Sequence, residues 1–116
     1  MRHRLRVFAI AAVALAAALA PTATAATTRS CPAVRNPYPD TRFAGVDLTH
    51  ITAIGVSCAT ARTVARRAHA KALGLTPSAS GIRTFTWNGW HVRGDLRPAS
   101  DRYVATKGAA VVRWRF

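Results

Sequence analysis

An α+β domain is what this sequence predicts: one helix, over about residues 57–73, packed on an antiparallel sheet of three to five strands. Three observations carry that expectation. Small apolar residues recur at three- and four-residue spacing between Ser57 and Gly74, which is the pattern of an amphipathic helix. Asn88-Gly89 sits between Trp87 and Trp90 in a run rich in strand formers, and that dipeptide is the strongest short signal for a hairpin. Val112, Trp114 and Phe116 alternate with Val111, Arg113 and Arg115, as in a strand with one buried and one wet face.

The first 26 residues read as a secretory signal peptide. "MRHRLR" supplies a basic start, fourteen apolar residues follow from Val7 to Ala20, and Ala23-Thr24-Ala25 offers a small-residue cleavage site. Fourteen apolar residues fall short of the ~20 that a membrane span needs, so no transmembrane segment is expected in the mature chain. The expected location is extracellular or associated with the cell envelope. From Thr27 the remaining 90 residues suffice for one domain with a modest core. Residues 27–42 are expected to be an extended arm, because Pro32, Pro37 and Pro39 discourage regular structure. Residues 43–116 form the single α+β domain.

Within that domain the β-branched residues of Thr49 to Ile54 lead to Gly55 and predict a short strand. Ser57 is a suitable helix N-cap, and Gly74 stands where a left-handed C-terminal residue is wanted. Cys58, Ala61, Val64, Ala65, Ala68 and Ala72 make the apolar stripe, with Arg62, Arg66 and His69 on another face and Arg67 and Lys71 beside them. Asn88-Gly89 is either a hairpin turn or a bulge within one strand. In both cases Phe85, Trp87, Trp90 and Val92 share the core face. Lys107-Gly108 predicts a second hairpin, between strands 102–106 and 109–116.

Removing the leader leaves fourteen basic residues against Asp40, Asp47, Asp95 and Asp101, a net charge near +10. Such a surface attracts polyanions, and the arginines expected to bind them are Arg62, Arg66 and Arg67 on the helix with Arg113 and Arg115 on the last strand. Enzymatic readings are thin. The chain has no glutamate, and no nucleophile, base and orienting residue can be named together, so no catalytic residue is assigned. His50 or His91 beside an aspartate is the arrangement a small secreted hydrolase such as a ribonuclease would use. Metal and cofactor sites are not expected, since the two cysteines and the histidines lack C-x-x-C or H-x-x-x-H spacing. The tripeptide Arg93-Gly94-Asp95 is too short to weigh as an adhesion motif. The terminal "RWRF" resembles membrane-active cationic peptides, but it fits a strand with Trp114 and Phe116 inward.

Cys31 and Cys58 are the only cysteines. In an oxidising compartment two cysteines favour a disulfide, with a catalytic thiolate at the helix start as the alternative. The segments "ITAIGVSCATARTVA" (51–65), "NGWHV" (88–92) and "YVATKGAAVVRWRF" (103–116) together resemble a family of small secreted, disulfide-bonded actinobacterial proteins. Its pattern has cysteines where Val92 and Ala105 stand here. The resemblance implies that a second bridge is replaced by a Val92–Ala105 contact and that Cys58 pairs with Cys31. The expected function is non-enzymatic binding of an extracellular protein or an anionic envelope polymer rather than a specific nucleic acid. The secreted hydrolase is the second expectation and a membrane-active protein the third.

Overall fold

The computed structural model describes residues 26–116 together with Ala12 and Val13. The leader expected over residues 1–26 therefore lies almost wholly outside the described residues. The elements run β1 (Arg29–Ser30), β2 (Thr49–Ile54), α1 (Cys58–Leu73), β3 (Ile82–Trp87), β4 (Trp90–Asp95), β5 (Arg102–Lys107) and β6 (Ala110–Arg115). All six strands join one sheet in the order β1-β2-β6-β5-β4-β3, and every neighbouring pair is antiparallel. After β2 the chain crosses through α1 to the far edge of the sheet, and the meander β3 to β6 returns it to β2.

Six strands exceed the three to five expected, and the extra one is β1. Arg29 and Ser30 pair with Ala53 and Thr52 just before the first proline of the stretch expected to be irregular. The Cys31–Cys58 disulfide fixes this strand against the start of α1, with Cα atoms 5.3 Å apart, and the Cys31 amide donates to the Ile51 carbonyl at 2.8 Å. Farther along, Val34 and Leu48 exchange backbone hydrogen bonds of 3.0 and 2.9 Å. The free edge of β2 is covered in this way. The opposite edge, β3, is blocked at both ends: Ser78 pairs with the backbone of Ile82, and Lys71 Nζ donates to the Thr86 carbonyl at 2.6 Å. Covered edges keep a sheet from pairing with other chains.

The helix begins as its sequence requires, with the Ser57 hydroxyl accepting the Thr60 amide at 3.2 Å. Its end differs from expectation. Gly74 has φ −87°, right-handed, and its amide reaches back to Lys71, so a tightened last turn replaces the left-handed cap. Ala61, Val64, Ala65, Ala68 and Ala72 are buried as expected. His69, expected on the polar face, is buried completely. The alanine stripe leaves room beside the aromatic residues of the sheet, and the imidazole fills it.

Asn88 and Gly89 have φ of 48° and 80°, the two left-handed residues of a hairpin turn, which resolves the bulge alternative. Trp87 pairs directly with Trp90. In the second hairpin Lys107 pairs with Ala110, so the turn is Gly108-Ala109, one residue later than expected. Trp90, Val92, Tyr103, Ala105, Val112 and Trp114 form the sheet side of the core. Val92 and Ala105 are direct cross-strand partners. Tyr103 stacks on its partner Trp114, the ring planes 2° from parallel and 5.3 Å apart. On its other side Tyr103 faces Gly94, where a Cβ would come within 2.9 Å of the ring. Gly94 is there because a side chain would displace that ring, so the Arg93-Gly94-Asp95 tripeptide is part of a strand.

Candidate functional site: an arginine-bearing open sheet face

Because α1 covers the face that carries Val112 and Trp114, strand alternation turns Arg113 and Arg115 to the other face. No secondary-structure element among the described residues packs on that face. Cross-strand register, read strand by strand, orders it in rows. One row runs Thr52–Arg113–Val104–Arg93–Thr84 straight across β2, β6, β5, β4 and β3. The next runs Thr49–Arg115–Arg102–Asp95–Ile82. A third, containing Val111, Thr106 and His91, carries no formal charge with neutral histidine. The charge is thus concentrated in two adjacent rows.

Four arginines, Arg93, Arg102, Arg113 and Arg115, meet here with one acid. Asp95 is already engaged, its Oδ2 accepting from Arg97 at 2.9 and 3.2 Å. That is the only ion pair among the described residues, and none of the four arginines has a hydrogen-bond acceptor among them. Arg102 stands directly opposite Arg115. Like charges so placed destabilise a sheet.

At the β2 end of these rows the strand slips register between Thr49 and Thr52, and His50 adopts φ 50°. A left-handed non-glycine residue in a bulge is a local strain that re-aims a side chain. His50 consequently joins the rim of a shallow depression of about 470 Å³, which Arg93, Arg102, Arg113, Arg115 and Asp95 also line. Among the described residues the only hydrogen-bond partner of the His50 side chain is the hydroxyl of its neighbour Thr49, at 3.1 Å, and no carboxylate orients it.

The five arginines singled out from sequence do not come together. Arg113 and Arg115 lie on the open face, while Arg62, Arg66 and Arg67 are exposed on the helix, on the other side of the sheet. Arg62 has a structural contact as well, donating to the Ala33 carbonyl at 3.3 Å. Arg93 and Arg102 were missed. Each alternates with a core residue, Val92 and Tyr103, which is the signal that places both on the wet face.

On the helix side a part-buried polar contact sits in an aromatic cluster. Tyr38, from the stretch preceding β2, is hydrogen-bonded through its hydroxyl to His69 Nδ1 at 2.6 Å. The imidazole centroid lies 4.2 Å from that of the Phe116 ring and 5.0 Å from that of Tyr103, and Nε2 has no hydrogen-bond partner among the described residues. Burial first, and the nearby Arg83 charge second, push the His69 pKa down to about 4. Burial also pushes Tyr38 up to about 12. Arg83 is held in place by hydrogen bonds to the Tyr103 hydroxyl and the Leu75 carbonyl, both 3.0 Å. These groups tie the N-terminal stretch to the core; His69 and Tyr103 are buried, and Tyr38 and Arg83 are half-buried.

Trp114 is 1 % exposed, so the terminal "RWRF" divides between the two faces and does not present an amphipathic tip. No helix among the described residues is long and apolar enough to cross a membrane. No family model, no curated protein and no solved structure matches this chain.

Proposed function

We infer that this is a non-enzymatic extracellular protein that binds an anionic polymer of the cell envelope through the open face of its sheet. The observation that carries the reading is the meeting of Arg93, Arg102, Arg113 and Arg115 on the one uncovered face, with the acid that lies in their rows, Asp95, already paired to Arg97. The Arg102–Arg115 opposition works against stability, and a bound polyanion relieves it. The disulfide and the signal-peptide pattern of residues 1–26 support an extracytoplasmic location.

The test is binding of the purified protein to envelope polymer across a salt series. Four neutralised charges on a flexible chain give a slope of log K against log salt of about −3. Replacing Arg93, Arg102, Arg113 and Arg115 together by glutamine abolishes the binding, whereas the Arg62, Arg66 and Arg67 triple variant retains it. The reverse result, or binding indifferent to salt, overturns the assignment. A second reading is a secreted hydrolase such as a ribonuclease, because His50 and Asp95 line the same depression. Phosphodiester cleavage that His50→Ala removes would replace the binder with the enzyme.

A further inference from the structure

Resting on that reading, we propose that the occupant of the open face is a linear polyol-phosphate chain. It lies across the strands along the row Thr52–Arg113–Val104–Arg93–Thr84, with phosphates on Arg113 and Arg93 and a neutral linker over Val104. The row is symmetric about Val104: an arginine on each side, then a threonine on each side. Neighbouring strands are about 4.8 Å apart, so the two arginine backbones are separated by about twice that, and their long stems adjust the guanidinium spacing to the chain. Val104 is half-buried and offers a flat apolar floor between the charges. The threonine hydroxyls that flank the two arginines, with Ser30 of β1 next to Thr52, are donors and acceptors for polyol hydroxyls.

Three features favour phosphate diesters of a polyol over other polyanions. All four cations on the face are arginine, although the chain also has lysines, and the guanidinium fork matches phosphate and carboxylate oxygens in pairs. Single-stranded nucleic acid is held by aromatic platforms on which bases stack. Here Phe85, Trp87, Trp90, Tyr103 and Trp114 all belong to the helix side of the sheet, and the nearest rings on the open side are the isolated imidazoles of His91 and His50. A base would find no stacking surface along the row. Polycarboxylates place their charges at the ends of side chains, and the row has only two arginines with an apolar gap between them, which suits charges carried in the backbone.

The experiment compares fluorescently labelled poly(glycerol phosphate), poly-uridylate and polyglutamate of equal charge number, titrated with purified protein at a low and at a high ionic strength. The expected result is that poly(glycerol phosphate) binds at least about tenfold more tightly than the other two, a free-energy difference of about 1.4 kcal/mol. Arg93→Lys/Arg113→Lys keeps the charge and loses the fork, so it reduces that preference several-fold while leaving the melting temperature unchanged. Equal binding of all three polymers, or tighter binding of poly-uridylate, overturns the polyol-phosphate assignment and leaves the polyanion reading intact. No salt-sensitive binding of any of them overturns both. Unchanged preference in the lysine variant removes the row from the site.

Discussion

On the helix side of the sheet Val92 is paired with Ala105, and Tyr103 is stacked on Trp114. One residue farther along the same strands, on the open side, Arg93 stands beside Val104 and Arg102 opposes Arg115. The same backbone register therefore produces both a dry core and a charged surface, and only alternation separates them. Burial makes each residue on the first face answer to its neighbours' volume. On the second face solvent absorbs changes in volume, and what neighbours sense is charge. Substitutions on the two faces should consequently differ in size and, at one position, in sign.

The largest effect is expected at Trp114. It is 1 % exposed and stacked on Tyr103, so Trp114→Ala removes a large buried ring and leaves a cavity, costing about 3–5 kcal/mol. Urea denaturation would show this as a lower midpoint. A cost below about 1 kcal/mol would mean that the helix face is not the core it is described to be.

Next comes a gain on the same face. Val92 and Ala105 are cross-strand partners on neighbouring strands, so Val92→Cys/Ala105→Cys places two thiols side by side. Closing a loop of this length stabilises by about 3 kcal/mol in the chain-entropy model. The check is an intact mass two hydrogens lower, together with a melting temperature that rises and returns on reduction. If both thiols remain free in air, the β4–β5 register is wrong.

A third prediction uses pH to probe the buried face. The folded-state pKa of His69 is about 4, below the ordinary value of 6.5, so between those values the unfolded chain binds a proton that the folded one refuses. Stability is then complete above about pH 6.5 and falls as pH drops toward 4. The loss is about 2 kcal/mol by pH 5. His69→Phe should flatten this slope in denaturation curves at pH 7, 6 and 5. An unchanged slope would place the titrating group elsewhere.

Most of the fold was legible because its signals are local. Alternation assigned Val112 and Trp114 to the core, Asn88-Gly89 marked a hairpin turn or a bulge with Trp87 and Trp90 on the core face in both cases, and the alanine stripe oriented α1. What was not legible depends on tertiary geometry. Arg29 and Ser30 form a strand because a disulfide and β2 hold them, and nothing in two polar residues before a proline indicates that. His69 falls on the helix stripe by spacing, four residues after Ala65 and three before Ala72, yet its polarity argued for the surface. Its hydroxyl partner, Tyr38, comes from a stretch 31 positions away. The candidate site was half legible for the same reason. Arg113 and Arg115 were found by alternation within one strand, but their association with Arg93 and Arg102 exists only in the cross-strand register. Grouping arginines by closeness in sequence favoured the helix instead.

The smallest expected effect is also the one that reverses sign. Arg115 has Arg102 on one side and the neutral Thr49 on the other, so Arg115→Gln removes a like-charge contact and forfeits no ion pair. Arg102 differs, because its second neighbour is Asp95, and neutralising it sacrifices an attraction along with the repulsion. Cross-strand charge pairs are worth about 0.2–1 kcal/mol. Arg115→Gln should therefore stabilise by a few tenths of a kcal/mol at low salt, while Arg102→Gln stays near zero. Both differences should vanish at about 1 M salt, where the screening length shrinks to about 3 Å. Paired urea titrations at low and high salt resolve the matter. If Arg115→Gln destabilises at low salt, the guanidinium has a structural partner, and the opposed arginines are no longer an argument for an absent anion. If it stabilises while weakening polymer binding, the open face trades folding stability for affinity at that residue.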